Sequence, residues 1–285
     1  MDGGIKMKVL FINSFTESDY LNDMIYHGLI ESGFDVYCTG YPGYMLSSAN
    51  VRLIESTANR FSIYGKMNHT PKLEEGKETL DKINSLFYDI VIFGSIRRDA
   101  SYYNEVIQSY PKERIHFVDG EDDQYVVDYL QNMGISWKRE LVGFDANPIS
   151  LAIPESQLLI DKPIKDKIIS HIVPGNLGTY IFNNEQEYYA DYARSNYGRT
   201  SKKAGWDCVR HYEILANRCI PLFSDLKDCP NRTMVNFPKD VIKQVNRYSE
   251  RSVICPRYEE INEYLFDYTK HNLTTKQLVK RMIEY

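Results

Sequence analysis

The sequence predicts an α/β protein built as two Rossmann-like halves facing a central cleft. Three observations carry that reading. At roughly 150 residues per domain, 285 residues correspond to about two domains. Short apolar runs alternate with stretches of helical periodicity, the signature of βαβ units and parallel sheets. A stretch rich in breakers, with Gly143, Pro148, Pro154 and Pro163, divides one such series from another. The halves are therefore expected over 1–150 and 151–285, with a linker over 142–165.

Taken in order, 7–13 (MKVLFIN) reads as a buried strand and 19–32 as a helix. In that helix Leu21, Met24, Ile25 and Leu29 form one apolar stripe, Thr16 and Asp19 are capping candidates, and Gly33 ends it. Residues 34–38 (FDVYC) give a second strand, 80–86 a helix, 89–93 (DIVIF) a buried strand and 102–109 a helix. Residues 114–118 (RIHFV) form a strand that ends in the acidic loop 119–123, and 137–141 (WKREL) a short one. Beyond the linker the pattern restarts. Residues 167–173 (KIISHIV) and 219–224 (CIPLFS) read as strands. Helices are expected over 185–193, 207–216, 241–247 and most of 258–285. In the helix over 207–216, Asp207 is the expected N-cap and Asn217 the left-handed C-cap.

Composition narrows the function classes. With 34 basic and 39 acidic residues the net charge is −5, the wrong sign for a protein that binds by neutralising nucleic-acid phosphates. A hydrophobic fraction of 43% excludes intrinsic disorder. No apolar run reaches the 18 or so residues of a membrane span, and the start of the chain lacks a cleavable signal pattern. Five cysteines without a CxxC pair read as reduced thiols. The expectation is a cytoplasmic protein.

In a doubly wound fold the ligand cleft lies at the carboxyl ends of the strands, so chemistry is sought in the loops that follow them. The segment 195–225 (SNYGRTSKKAGWDCVRHYEILANRCIPLFSD) is the richest. Arg210 and Glu213 lie one turn apart at a helix start preceded by Lys202, Lys203 and Gly205. Helix amides and cations there suit a diphosphate, and a carboxylate suits ribose hydroxyls. The alternative is a plain exposed Arg210–Glu213 ion pair, worth a few tenths of a kcal/mol. Trp206 is a candidate for stacking on a base or sugar, and His211 for binding. Arg139, with Lys138, is a candidate to reach the diphosphate from across the cleft, or equally to pair with Glu140 or Asp145. Arg97 and Arg98 follow a strand and suit a phosphate or an anionic acceptor.

The same segment resembles the signature of exostosin-like glycosyltransferases. Ser195 matches its first serine, Arg210 its arginine, Glu213 its helix glutamate, Ala216 an alanine in that helix, and Cys219-Ile220-Pro221 its Cys-Ile-Pro strand. GWDCVRHYEILAN is also similar to small glycosyltransferases of large algal viruses and bacteria. About 30 residues carry the resemblance. It implies two facing domains (the GT-B architecture) and an inverting transfer from a nucleoside diphosphate sugar, UDP-linked, to a glycan or glycoprotein acceptor. By the viral likeness that sugar is a pentose such as xylose. It also implies that Glu213 meets the ribose and Arg210 the diphosphate. Donor contacts are then expected from Arg139, Ser195, Lys203, Trp206, Asp207, Arg210, His211 and Glu213. One departure is Arg218, where the signature has glycine before Cys-Ile-Pro.

Inverting transfer needs a general base. Glu121 and Asp122, in the loop after the strand 114–118, are the candidates. The loop 14–19 also qualifies as a source of the base, though Glu17 and Asp19 read equally as helix-start charges that complement the dipole. No metal site and no cofactor are expected, because Arg and Lys would neutralise the leaving diphosphate. Two other readings stay open. One is a metal-dependent transferase of a single fold using 119–123, and the other a binding module for nucleotide sugars without catalysis.

Overall fold

The computed structural model describes residues 6–48, 61–249 and 254–285. Its first sheet is parallel throughout, seven strands in the order β3-β2-β1-β4-β5-β6-β7. The strands are β1 (Lys8–Ile12), β2 (Asp35–Cys38), β3 (Lys72–Leu73), β4 (Ile90–Phe93), β5 (Ile115–Asp119), β6 (Ile135–Lys138) and β7 (Asn147–Pro148). Every residue of β4 and β5 is buried, as strands covered on both faces require. The order reverses between β1 and β4, so the loops after these two strands flank the switch point where doubly wound sheets take ligands.

Helix α1 (Tyr20–Glu31) follows β1. Asp19 caps it, accepting from the amides of Leu21 (3.1 Å) and Asn22 (3.3 Å), while Thr16 pairs instead with the Ser14 hydroxyl. Gly33 ends the helix at φ 82°. The other helices beside this sheet are α2 (Gly76–Asn84), α3 (Tyr103–Ser109) and the single turn α4 (Leu130–Met133).

The second sheet is also parallel, three strands in the order β10-β9-β8. It comprises β8 (Lys167–Ile169), β9 (Ser195–Thr200) and β10 (Ile220–Phe223), joined by α5 (Glu185–Arg194) and α6 (Val209–Ala216). The sequence reading left the central strand β9 unassigned. Its polar, glycine-containing run hides a buried strand, and a side chain at Gly198 would meet the Ile214 side chain at 3.0 Å. Helices α7 (Lys239–Ser249), α8 (Tyr258–Asn272) and α9 (Thr275–Ile283) complete the chain.

Helix α9 returns to α1, with His27 Nδ1 3.0 Å from the Thr275 hydroxyl. A Cβ at Gly28 would lie 2.3 Å from the Thr275 carbonyl oxygen, so only glycine permits that approach. Where an exposed linker was expected, Ile149, Ser150, Leu151, Ala152 and Ile153 are all buried. The four apolar ones belong with α1, α9 and α6 to one apolar cluster that runs between the two sheets. Each of the five cysteines is a free thiol. Among the described residues no helix is long and apolar enough to cross a membrane.

Candidate functional site

Loops from both sheets meet at the start of α6 and enclose two cavities with a common wall. One, of about 380 Å³, is lined from the first sheet by Asp19, Arg98, Glu121, Asp122 and Arg139, and from the second by Lys203, Gly205 and Asp207. The other, of about 330 Å³, is lined by Phe61, Ile172, Tyr180, Phe182, Tyr188, Arg210 and Glu213. Tyr20, Lys203, Cys208 and Val209 border both.

Arg210 and Glu213 sit together in the second cavity, and both are buried. The exposed ion pair considered for them does not form. Arg210 donates from Nη2 to the Tyr180 hydroxyl at 3.0 Å, while its Nε and Nη1 are buried without a partner. No described carboxylate pairs with it. Glu213 accepts from the hydroxyls of Ser62 (2.7 Å), Tyr188 (2.9 Å) and Tyr189 (3.3 Å). Burial raises its pKa, against those hydrogen bonds and the Arg210 charge. Two nitrogens of a buried guanidinium without acceptors are costly, and an anion would relieve that cost.

Helix α6 begins one residue later than expected. Its N-cap is Cys208, which makes no side-chain capping bond, and the His211 amide donates to the Cys208 carbonyl at 3.0 Å. Asp207 is instead a strut, accepting from the Leu151 amide (2.7 Å) and the Tyr212 hydroxyl (2.8 Å). Burial raises Asp207 to about 6, against the nearby Arg139 charge. At the other end Asn217 has φ −94°, and Arg218 takes the left-handed conformation at φ 52°.

The remaining candidates divide clearly. Lys203 borders both cavities, and no described carboxylate pairs with it. Arg139 lines the larger cavity but is fully engaged. It donates to the Gly120 carbonyl (2.9 Å), Glu140 (3.1 Å), Asp122 and the Asp207 carbonyl. Trp206 lies outside both cavities, its amide bonded to Glu140 and its ring 6.4 Å from that of Phe223. His211 is wholly buried between the Thr200 hydroxyl (2.8 Å) and the Trp206 carbonyl (2.9 Å), and burial lowers it to about 3. Ser195 opens β9 and donates to the Asp191 carbonyl at 2.6 Å, at the end of the strand away from the cavities.

The acidic loop is a network of ion pairs. Asp119 faces Lys138 at 3.0 Å, Asp123 faces Arg97 at 2.8 Å, and Glu121 faces Arg98 at 2.7 Å. Arg97 and Arg98 are therefore taken, not free for a phosphate. Among the described residues no group of three or more His, Cys, Asp or Glu side chains could hold a metal ion.

Asp19 is the residue sequence reasoning undervalued. It is buried, lines the larger cavity, and also accepts from Ser95 Oγ at 3.3 Å, with Arg98 Nη1 3.7 Å away. Burial raises its pKa, with Arg98 the main opposing charge. Behind it the Asp23 carboxyl accepts from the Asp19 amide (3.1 Å), the Asn22 side-chain amide (3.1 Å) and the hydroxyls of Tyr44 (2.8 Å) and Tyr64 (2.9 Å). Burial, then the Asp19 charge, push Asp23 to about 7. No signal in the sequence marks Tyr180, Tyr188, Tyr189 and Ser62 as partners of Arg210 and Glu213. Neither a family model nor a curated protein matches this chain.

Proposed function

We propose that the chain is an inverting glycosyltransferase of the two-lobed GT-B kind, taking its sugar from a UDP-linked donor. The observation that carries this is Arg210, whose Nε and Nη1 are buried, unpartnered and beside Glu213 in a cavity lined by aromatic rings. In this reading the nucleoside enters that cavity and Glu213 accepts from the ribose hydroxyls. The diphosphate lies against Arg210, Lys203 and the amino end of α6, and the sugar extends into the adjoining cavity beside Asp19. The likeness of 195–225 to the exostosin-like signature points the same way.

Asp19 is the base in this scheme. Glu121 and Asp122 border the same cavity, but each already faces a guanidinium, Arg98 and Arg139 respectively. The acceptor hydroxyl oxygen bonds to the anomeric carbon from the face opposite the leaving group. The bond from that carbon to the β-phosphate oxygen breaks, and its electron pair departs with UDP. The acceptor proton passes to the Asp19 carboxylate. Arg210 and Lys203 stabilise the charge that develops on the diphosphate, so positioning and fixed cations supply the catalysis.

Calorimetric titration with UDP, paired with an assay of UDP release from UDP-sugars, tests the assignment. Glu213→Ala is expected to weaken UDP binding, and Arg210→Ala to do so by about 100-fold, the worth of two charge-assisted hydrogen bonds. Asp19→Asn is expected to keep UDP affinity while abolishing turnover. Because Asp19 is raised and must be ionised to act, wild-type turnover is expected to fall on the acid side at a pH above that of an ordinary aspartate. UDP affinity unchanged in both the Arg210 and Glu213 variants overturns the reading.

A further inference from the structure

A third cavity, of about 340 Å³, opens at the switch point of the first sheet, beyond the loops after β1 and β4. It shares Asp19, Arg98 and Glu121 with the cavity assigned above to the donor sugar, so Asp19 stands on the border between the two. Its other walls are Asn13, Ser14, Thr16, Glu17 and Ser95, hydroxyl, amide and carboxylate groups without an aliphatic or aromatic side chain. Such a lining offers hydrogen bonds and no apolar contact, which suits a polyol and not a lipid tail or an aromatic ring.

Its charge is as informative as its polarity. Three carboxylates, Glu17, Asp19 and Glu121, face one cation. That cation is already engaged, Arg98 Nε lying 2.7 Å from Glu121 and Nη1 3.7 Å from Asp19. An anionic ligand would meet two surplus negative charges and no free donor cation. Resting on the transferase reading of the neighbouring cavity, we propose that this third cavity is the acceptor subsite, and that it takes a neutral sugar and rejects acidic ones. Uronic acids and phosphorylated glycans are excluded because Arg98 is neutralised from within the protein. The sequence reading had offered Arg98 to an anionic acceptor; its ion pairs reverse that expectation.

The test uses the full chain and a matched pair of probes, methyl glucoside and methyl glucuronide, which differ by a CH₂OH against a carboxylate. Binding is read by saturation-transfer NMR without any donor, so the result does not depend on UDP. The glucoside is expected to bind at least about tenfold more tightly, a modest charge penalty for a partly hydrated site. Glu17 is exposed and its side chain makes no described hydrogen bond or salt bridge, so Glu17→Lys is expected to fold and to narrow that ratio to within about threefold. Thr16→Trp, at an exposed wall of the cavity, is expected to abolish the glucoside signal and so locate it. Equal or better binding of the glucuronide, an unchanged ratio in Glu17→Lys, a signal that survives Thr16→Trp, or no binding of either probe overturns the proposal. A failed UDP titration with the expected glycoside pattern sinks the transferase reading instead and leaves a neutral-sugar site.

Discussion

Two buried arginines at the cleft, Arg139 and Arg210, carry the same charge in opposite circumstances. Arg139 comes from the first sheet and directs its guanidinium onto two carboxylates and two carbonyls. Arg210 comes from the second and finds one phenol, leaving two donors empty. Burial is nearly equal, 6% of each residue being exposed, so desolvation does not separate them. Compensation does. A buried cation whose donors are all satisfied within the chain holds the chain together. One whose donors are not satisfied carries an unfavourable energy that a ligand can remove.

The comparison breaks most visibly in stability. Arg139→Met leaves Glu140 and Asp122 without their cation and strips the Asp207 carbonyl of its donor. Breaking a buried pair by removing one partner costs about 3–5 kcal/mol, and urea unfolding is expected to read a loss of that size. Arg210→Met removes one hydrogen bond to Tyr180 and the charge beside Glu213, but also two buried nitrogens without a partner. The same measurement is expected to find stability unchanged or higher by about 1–2 kcal/mol. Equal losses in the two variants would erase the distinction between strut and site.

A smaller effect sharpens the Arg139 side through Asp207. Its folded pKa, about 6, lies above the unfolded value near 3.9. Its contribution to stability is therefore fully present below about pH 4 and lost as pH rises through 6. His27 and His116, lowered to about 4, and His211, lowered to about 3, act in the opposite sense, losing stability as pH falls below about 6.5. Comparison of wild type with Asp207→Asn cancels the histidines. Between pH 5 and pH 8 the difference in unfolding free energy is expected to move by about 1.4 kcal/mol against the wild type. A pH-independent difference would mean that Asp207 is ionised throughout.

How much of this was legible depends on what each signal encodes. Strands β1, β4 and β5 were readable because burial on both faces demands continuous apolar runs. Strand β9 was not, since Ser195–Thr200 mixes polar residues with a glycine whose role, clearance for Ile214, exists only in three dimensions. Breakers from Gly143 to Pro163 pointed to a linker, but Asn147–Pro148 pairs with β6 as the last strand of the first sheet and 149–153 is core. Within the site, spacing located Arg210 and Glu213 on one face of α6. Proximity along the chain then misplaced their neighbour His211, which lies about 100° further round the helix and inside the core. Ser195 shares the segment but sits at the amino end of its strand. Asp19, in one of the two loops that qualified for the base, was ranked below Glu121 and Asp122, because nothing in a sequence reports how deeply a cap is buried.

A third arginine tests the weakest part of the resemblance. Arg218 stands where the exostosin-like signature has glycine, and it adopts φ 52°. Its side chain is held like that of Arg139, donating to the carbonyls of Leu159 and Ile160 at 2.8 Å each and to Glu263 at 2.9 Å, with Phe266 beneath it at 3.7 Å. Those contacts explain how a residue other than glycine holds a left-handed turn. Arg218→Gly and Arg218→Ala lose the same contacts, so the gap between them isolates the backbone. Both variants are expected to be less stable than wild type, with alanine below glycine by about 1 kcal/mol, the cost of the left-handed conformation for a residue with a Cβ. Thermal unfolding of the three proteins side by side reads that order. Alanine matching glycine would show that the turn carries no strain and that the signature's glycine answers a different need.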